Sequence, residues 1–299
     1  MALAKVLKEV FADADFVIEA VFEEISVKKH VFAEIEAVIR ADCILATNTS
    51  SLSVAEMASD LTNPERLVGF HFFNPVAAMP LLEIIQAPET SNEVLATAFA
   101  LGRALRKTSV LVQDCTAFVV NRVLLRLMGE VLRAFDDGTP ADVADQALKP
   151  MGLPMTPFNL LAMIGLPVCL HVTQSLNTAF GERFPVSPNQ QRLIEHGITS
   201  LWEQKPEGDP VIPARTVGLL EIGCSPSTSD ELLARVQDAL AEEIALMLDE
   251  GVVPDPQDID LCMIAGAGWP LHLGGITPYL DQTGASERAA GRLFHPANR

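Results

Sequence analysis

The sequence is poor in positive charge. Its 299 residues include 21 Lys and Arg against 39 Asp and Glu, which gives a net charge of −18. Binding to nucleic acid or to an anionic membrane requires a basic surface, so this balance argues against both classes of protein. A negatively charged substrate would have to be held by a local cluster of Lys or Arg. Because 49% of the residues are hydrophobic, the chain can form a core, and its length suggests about two domains.

Closely spaced cysteines and long apolar runs are also missing. The five cysteines lie far apart and never form a Cys-x-x-Cys pair, so the spacing of a zinc site is absent and we expect no bound metal. Free thiols are typical of a reducing compartment, which favours a cytoplasmic protein. No uncharged apolar run of about 18 residues occurs, and we therefore expect no membrane-spanning helix. The first residues, Met1 to Lys8, lack the apolar core of a signal peptide.

Short apolar segments alternate with helical patterns over the first 114 residues. The spacing predicts strands at residues 16–21, 43–47, 67–73, 81–86 and 108–113. Between them, Ser53 and Glu56 form the capping-box pattern of a short helix. Strands separated by helices predict a mostly parallel sheet covered by helices. The unbroken apolar run at 16–21 is typical of a strand that is buried on both faces.

From residue 115 onward the sequence is helical and contains a repeat. Gly129–Gly138 resembles Glu242–Gly251, and the turn Gly152-Leu-Pro154 resembles Gly268-Trp-Pro270. The shared positions of glycine and proline favour a duplication over chance similarity between two helix–turn–helix units. Lys205–Pro210 is a polar candidate linker. We predict an α/β domain over 1–114 and two related helical domains over 115–210 and 211–299.

His71 and Glu83 are the candidates for acid–base chemistry. His71 lies among aromatic residues near the end of the third predicted strand, and Glu83 lies on the fourth. If the two strands pair antiparallel around a turn at Ala77, these two side chains face each other. A carboxylate beside an imidazole fixes its tautomer and raises its basicity, which makes a general base at neutral pH. The alternative is a core histidine with a purely structural hydrogen bond.

Four motifs, in their order and spacing, carry a resemblance to a known family. They are Asn48-Thr-Ser-Ser-Leu52, Gly69-Phe-His-Phe-Phe-Asn-Pro-Val76, Met79-Pro-Leu-Leu-Glu83 and Phe118-Val-Val-Asn-Arg122. From about Asp15 to Gly165 the chain resembles the 3-hydroxyacyl-CoA dehydrogenases. The second helical copy resembles the tandem C-terminal domains of the multifunctional fatty-acid oxidation enzymes.

The resemblance implies a fold and an activity. Residues 1–114 would form part of a Rossmann domain that binds NAD, and two 3-hydroxyacyl-CoA dehydrogenase C-terminal domains would follow. The reaction would be the oxidation of (S)-3-hydroxyacyl-CoA to 3-oxoacyl-CoA with NAD, a step of fatty-acid β-oxidation. A homo-oligomer, possibly a dimer, is the implied assembly.

The resemblance also implies roles for single residues. His71 would take the proton of the substrate hydroxyl, Glu83 would orient His71, and Ser50 and Asn121 would hold the substrate oxygen. The cofactor would be lined by Val21, Phe22, Glu23, Lys28, Ser50 and Asn74. Lys28, Lys29, Arg122 and Arg126 are the best local positive charges for a CoA phosphate.

Several of these residues also have simpler interpretations from the residues alone. Ser50 could cap the helix at Ser53, and Asn121 could be an ordinary polar residue on a helix face. Glu23 and Lys28 could belong to a solvated helix start.

A glycine-rich phosphate loop is absent. A dinucleotide site normally has Gly-x-Gly-x-x-Gly between a strand and a helix, so that the backbone can approach the pyrophosphate. The sequence contains no such loop, and its nearest glycine cluster, Gly266-Ala-Gly268, has no strand before it. We therefore expect this chain to lack the first βαβ unit of the domain. The alternative function is a non-catalytic fragment or interaction module of the family that binds no NAD.

Two smaller departures from the family occur, and a third function is another type of β-hydroxyacid dehydrogenase. Thr116-Ala117 stands where the family usually has Pro-Gly, and Ala265 stands where some members have a tyrosine near the acyl-CoA. Other β-hydroxyacid dehydrogenases generally use a helical lysine as the acid and base. The predicted pairing of His71 with Glu83 argues against that group.

Overall fold

The computed structural model describes residues 10–202 and 211–296. Its first compact unit is built on a five-stranded sheet with the strands in chain order. The strands are β1 (Phe16–Glu19), β2 (Ile44–Thr47), β3 (Leu67–Phe72), β4 (Leu81–Gln86) and β5 (Thr108–Gln113), and the helices between them are α1 (Ile25–Glu36), α2 (Val54–Ala58) and α3 (Asn92–Ala104). Only β3 and β4 pair antiparallel. The predicted mostly parallel α/β sheet is confirmed.

The core of this unit lies between the sheet and α3. Apolar side chains of alternate strand positions pack with the inner face of the helix, and the cluster consists of Ile44, Ala46, Val68, Phe70, Leu82, Ile84, Val94, Leu95 and Ala98. Full burial of one large apolar side chain stabilises a fold by about 1.5–3 kcal/mol. Gly102 permits the close approach of α3, since a Cβ there would lie 2.9 Å from Leu82 Cδ2. The central strands are therefore held rigidly from one side.

The first strand differs from its prediction. β1 ends at Glu19, and Ile18 is 41% exposed, so the strand is not buried on both faces. The chain leaves the sheet here because the Val21 amide donates to the Glu19 carboxylate, at 2.6 Å, instead of to β2. Among the described residues no strand pairs with the outer edge of β1.

The rest of the described chain is helical, as predicted. Its helices are α4 (Val120–Asp136), α5 (Ala141–Gln146), α6 (Pro157–Ile164), α7 (Leu166–Phe180), α8 (Pro188–Glu195), α9 (Ala214–Val217), α10 (Ser229–Asp249), α11 (Pro256–Ala267) and α12 (Ile276–Gln282). No single described helix is long and apolar enough to cross a membrane, although α6 and α7, bent by 99°, pass that test of length and composition as a pair.

The compact units divide the chain differently from the predicted domains. The first unit runs to Val120 and includes Leu248–Gly266, and the second contains Asn121–Met247 and the residues from Ala267 onward. The helix α11 of the second copy is thus assigned almost entirely to the sheet unit. The candidate linker at 205–210, and with it the predicted boundary after residue 210, lies outside the described residues.

The backbone of the two helical copies supports the duplication. Three pairs of matched glycines all have positive φ angles: Gly138 with Gly251, Gly152 with Gly268, and Gly165 with Gly284. Within the second unit the two Gly-x-Pro turns also pack reciprocally. A Cβ on Gly152 would lie 3.2 Å from Pro270, and one on Gly268 would lie 3.2 Å from Pro154. Such exchange of equivalent contacts is the signature of an isologous, two-fold arrangement.

Two ion pairs, one fully buried and one partly exposed at its arginine, repeat this reciprocity. Arg122 of the first copy lies 2.5 Å from the carboxylate of Glu243 in the second, and both side chains are fully buried. Arg235 of the second copy lies 2.9 Å from the carboxylate of Glu130 in the first. The two arginines are at equivalent positions of the two copies, and so are the two glutamates. Buried charges are tolerated when they are paired, so Glu243 depends on Arg122 of the other copy, whereas Glu130 is also paired with Arg126 of its own copy, at 2.5 Å.

We expect loss of one partner of the buried pair to be costly. Arg122→Met removes the nearer cation of the buried Glu243 and leaves Arg183 at 3.4 Å, and it should lower the free energy of unfolding by about 3 kcal/mol. The double variant with Glu243→Leu should recover most of that loss, because no unpaired charge remains. Urea denaturation measures both effects. Asp238→Ala, which breaks an exposed pair with Arg288, is the control and should cost less than about 1 kcal/mol. Equal losses in all three variants would contradict this expectation.

The outer edge of β1 is expected to cause self-association. The strand contains no proline and only one charged residue, Glu19, so it lacks the usual protection against pairing with another chain. Ile18→Lys should lower the weight-average mass seen in sedimentation velocity. Val168→Lys, at an exposed position of α7, should not. A wild-type monomer at every concentration, with slowly exchanging amides at 16–19, would show that the edge is covered.

Candidate active site

The antiparallel pairing of β3 and β4 places His71 directly opposite Glu83. This confirms the register predicted from the sequence. The His71 Nδ1 and Glu83 Oε2 atoms are 2.7 Å apart, and the two residues are 3% and 0% exposed. An ionised carboxylate only accepts hydrogen bonds, so Nδ1 carries a proton and Nε2 is the nitrogen left to accept one.

The second oxygen of Glu83 is held by the start of α4. Glu83 Oε1 accepts hydrogen bonds from the Val119 amide at 3.2 Å and from the Val120 amide at 3.1 Å. Backbone amides at a helix N-terminus stabilise negative charge through their dipoles. Glu83 therefore has three donors although it is fully buried. Its carboxylate is fixed on both oxygens, and so is the imidazole bonded to it.

Two phenylalanines enclose the imidazole. The ring centroids of Phe73 and Phe118 lie 4.5 and 5.5 Å from that of His71. Apolar neighbours lower the local dielectric, which strengthens the interaction between the imidazole and the carboxylate. The pair has the hydrogen bonding and the shielding that a general base requires.

A second buried network lies at the end of β1. The Lys28 side chain is 1% exposed, and its ammonium lies 2.8 Å from Glu19 and 3.1 Å from Glu23. Glu19 also accepts a hydrogen bond from the Thr47 hydroxyl at 2.7 Å. The interpretation of Lys28 as part of a solvated helix start is therefore wrong. The ammonium of Lys28 can be buried because the carboxylates of Glu19 and Glu23 compensate its charge.

Glu23 organises the loop that carries Ser50. Its Oε1 accepts hydrogen bonds from the Thr49 hydroxyl at 2.6 Å, the Ser50 amide at 2.7 Å and the Ser51 amide at 3.2 Å. Burial by itself would raise the pKa of Glu23. The Thr49 hydrogen bond, the charge of Lys28 and the Ser50 amide outweigh burial, so this pKa lies below its ordinary value. The loop is thus tied to an ionised carboxylate.

Ser50 does not cap α2. That helix is capped by Ser53, whose hydroxyl accepts the Glu56 amide at 3.1 Å, as the capping-box pattern predicted. The carboxylate of Asp114, far along the chain, accepts the Val54 and Ala55 amides. Ser50 is left half-buried in the loop that Glu23 holds.

The remaining predicted residues are Val21, Phe22, Asn74 and Asn121. Val21 and Phe22 follow β1 and are exposed, Phe22 by 77%. Asn74 is exposed on the turn between β3 and β4 and precedes a cis proline. Asn121 is a half-buried residue in the first turn of α4 and is assigned to the second compact unit. The structure thus joins His71 to Glu83 directly, and Glu23 to Lys28 and Ser50 through one network.

The expectation about a CoA phosphate is wrong for three of its four residues. Lys28, Arg122 and Arg126 are buried and paired with carboxylates, so their charges are already neutralised. Lys29 is partly exposed, and its ammonium lies 3.4 Å from Asp60. Composition alone could not show this, because the pairing depends on glutamates from other elements.

The first strand–helix connection does not fit a pyrophosphate. It contains no glycine, and the side chain of Glu24 occupies the N-terminus of α1, where it accepts the Ser26 and Val27 amides at 3.1 and 3.0 Å. A negative side chain there repels a phosphate and takes its donors. Val21 and Phe22, next to the Lys28 network, present exposed apolar surface.

Comparison with known proteins gives two family matches. Residues 2–115 match the NAD binding domain of 3-hydroxyacyl-CoA dehydrogenase, and residues 118–205 match the C-terminal domain of 3-hydroxyacyl-CoA dehydrogenase. The fatty acid oxidation complex subunit alpha of Psychrobacter cryohalolentis is 34% identical over 295 residues, which are 92% of this chain and 40% of that protein. The chain thus spans about two fifths of the length of that curated relative.

Two solved structures are similar over most of the chain. The 3-hydroxybutyryl-CoA dehydrogenase of Escherichia coli has a TM-score of 0.74 and 25% identity, and the match covers 96% of this chain and 80% of that one. The (S)-3-hydroxybutyryl-CoA dehydrogenase of Ralstonia eutropha has a TM-score of 0.61 and 30% identity, with 65% and 69% covered. The Rossmann-like sheet followed by a helical domain is shared with both.

Strain next to the Glu83 site gives a stability prediction. Ala117 has a φ of 64°, a left-handed conformation that costs a residue with a Cβ about 1–2 kcal/mol. Ala117→Gly removes this strain, but it also removes a fully buried methyl group and gives the unfolded chain more freedom, so the free energy of unfolding should change by less than about 1 kcal/mol. Ala134→Gly, at a fully buried position of α4, has no strain to relieve and should lower it by more than about 1 kcal/mol. Urea unfolding compares the two variants, and equal losses would mean that Ala117 is unstrained.

Proposed function

Because the chain belongs to the 3-hydroxyacyl-CoA dehydrogenase family, we propose that it oxidises (S)-3-hydroxyacyl-CoA to 3-oxoacyl-CoA with NAD, as a step of fatty-acid β-oxidation. The observation that carries the proposal is the buried pair of His71 and Glu83, with 2.7 Å between Nδ1 and Oε2. The names of the relatives, a fatty acid oxidation complex subunit and two hydroxybutyryl-CoA dehydrogenases, support the substrate class.

The proton of the substrate hydroxyl goes to His71 Nε2. As the O–H bond breaks, the oxygen forms the carbonyl with the former carbinol carbon, and the imidazole becomes positively charged. The Glu83 carboxylate stabilises that charge, because it lies against His71 Nδ1. The Val119 and Val120 amides keep the carboxylate in this place. NAD, when bound, supplies the acceptor for the hydride of the carbinol carbon. The proton later leaves the imidazole to water, which returns the base to its starting state.

Ser50 and Asn121 are proposed to hold the substrate oxygen. Ser50 is suited to this role because its backbone is fixed by Glu23, at 2.7 Å from the amide, so the hydroxyl starts from a rigid loop. Asn121 follows Val120, whose amide is bonded to Glu83, and the first turn of α4 is therefore anchored. Donors fixed before the reaction cost little reorganisation when the oxygen becomes a carbonyl.

The cofactor would lie against the end of β1. Val21 and Phe22 offer exposed apolar surface for the nicotinamide ring, and Asn74 stands exposed at the end of β3. Lys28 is neutralised by Glu19 and Glu23 and donates a hydrogen bond to the Val21 carbonyl at 3.4 Å, so we expect it to hold the end of β1 in place and not to bind a phosphate. The N-terminus of α1 holds no pyrophosphate, because Glu24 occupies its amides.

A non-catalytic member of the family is the second candidate. It is favoured by the acidic cap of α1 and by the absence of Gly-x-Gly-x-x-Gly from the sequence. Both features predict that the chain binds NAD poorly, and calorimetry or fluorescence titration measures this. A dissociation constant in the low micromolar range would contradict the prediction. Turnover of a 3-hydroxyacyl-CoA at raised NAD concentrations supports the dehydrogenase, and none at any concentration supports the non-catalytic protein.

Substitution of the base should separate it from a structural histidine. His71→Gln should lower kcat by roughly 10²–10⁴, the range for removal of a positioned general base. Glu83→Gln should act in the same direction, and the double variant should lose less than the sum in free energy, because the two residues act as one unit. His30→Gln, at an exposed histidine of α1, is the control and should leave kcat unchanged. Turnover of the His71 variant near that of the wild type would rule out the assignment.

A further inference from the structure

The helix α11 packs in the sheet unit even though it belongs to the second helical copy. Residues Leu248–Gly266 are assigned to the first compact unit. Directly before the helix, the Val252 carbonyl accepts a hydrogen bond of 2.9 Å from the Gln113 amide, at the end of β5. Val252 and Val253 are both buried. The second copy therefore completes the part of the fold that holds His71 and Glu83.

Gly266 makes the closest approach of this helix. It lies in the last turn of α11, and a Cβ there would be 2.5 Å from Leu81 Cδ2 and 2.9 Å from Val120 Cγ2. Leu81 and Val120 are both fully buried, so neither side chain has free space into which it can move. A side chain at this position would force the Leu81 or Val120 side chain to move, and in a close-packed interior we expect that movement to be passed on to β4 and to the start of α4.

Both residues that Gly266 touches are connected to the Glu83 carboxylate. Leu81 precedes Glu83 by two positions on β4, and both residues are fully buried. Val120 donates its amide to Glu83 Oε1 at 3.1 Å. A side chain on Gly266 would push β4 away from the start of α4. The hydrogen bonds of the Glu83 carboxylate, which bridge these two elements, would then lengthen.

Cys262, one turn earlier, shows which way this face of α11 points. The thiol is completely buried. Burial raises its pKa well above the ordinary value, and the negative charge of Glu83 adds to that rise. Cys262 and Gly266 are spaced by four residues and lie on the same side of the helix. That side faces the region of the carboxylate.

We propose that Gly266 is a positioning residue for the His71–Glu83 pair: the missing side chain lets α11 hold β4 and the first amides of α4 at the spacing that the Glu83 carboxylate bridges. This assigns a function to the glycine cluster at 266–268, which has no strand before it and is no phosphate loop. The effect of Gly266 on catalysis rests on the proposed dehydrogenase function, whereas its effect on the position of the Glu83 carboxylate does not.

Hydrogen exchange in the whole chain tests the position directly. In Gly266→Ala, the amides of Val119 and Val120 should exchange at least about tenfold faster than in the wild type, because their bonds to Glu83 lengthen. The proton resonance of His71 Nδ1 should move, since its acceptor moves. The Val112 amide, inside β5, should keep its exchange rate.

A second substitution provides the rescue. Leu81→Val removes the Cδ2 atom that the new Cβ would meet, so the double variant with Gly266→Ala should bring exchange at Val119 and Val120 back toward the wild-type rate. Gly129→Ala is the matched control. It also adds a methyl group to a helical glycine, but its nearest neighbour is at 3.6 Å, and neither the exchange rates nor the His71 resonance should change.

The outcomes separate the possibilities. Unchanged exchange at Val119 and Val120 with an unchanged His71 resonance overturns the proposal, as does faster exchange spread evenly through the sheet and not reversed by Leu81→Val. If Gly266→Ala alone does not fold, the double variant decides. A folded double variant with near-native exchange supports the proposal, and one that does not fold contradicts it. A wild-type chain without turnover would defeat the dehydrogenase proposal and leave these measurements valid.

Discussion

The Glu83 carboxylate bridges an imidazole and the first amides of a helix, and the sheet unit is organised around that bridge. A carboxylate without solvent contact is unfavourable unless its lone pairs are used. His71 Nδ1 and the Val119 and Val120 amides use them, at 2.7–3.2 Å. One buried charge thus fixes the tautomer of the imidazole and the place where α4 begins. The orientation of the imidazole and the start of α4 therefore depend on the same carboxylate.

The same physical rule explains the second network. Lys28 is buried because Glu19 and Glu23 neutralise it, and Glu23 in turn holds the loop of Ser50. The chain carries a large excess of acidic residues, yet the buried charges described here are compensated by specific partners. That compensation turns charged residues into structural supports.

The duplication extends this compensation over the helical half. Arg122 pairs with Glu243 and Arg235 pairs with Glu130, so each copy supplies the countercharge of the other. The second copy has a further role, because α11 packs in the sheet unit through Gly266. A duplicated helical element therefore contributes both a symmetric interface and an asymmetric support for the candidate active site.

The sequence by itself determined the strands, the helix cap at Ser53 and the pairing of His71 with Glu83. These features are local: the strand pattern has a short period, and a hairpin register follows from its turn. Only the tertiary structure decided that Lys28 is buried, that β1 ends at Glu19, and that Gly266 packs against Leu81 and Val120, which lie more than a hundred positions earlier in the sequence. Such contacts depend on how helices and strands pack in three dimensions, and no pattern in a short stretch of sequence encodes that packing.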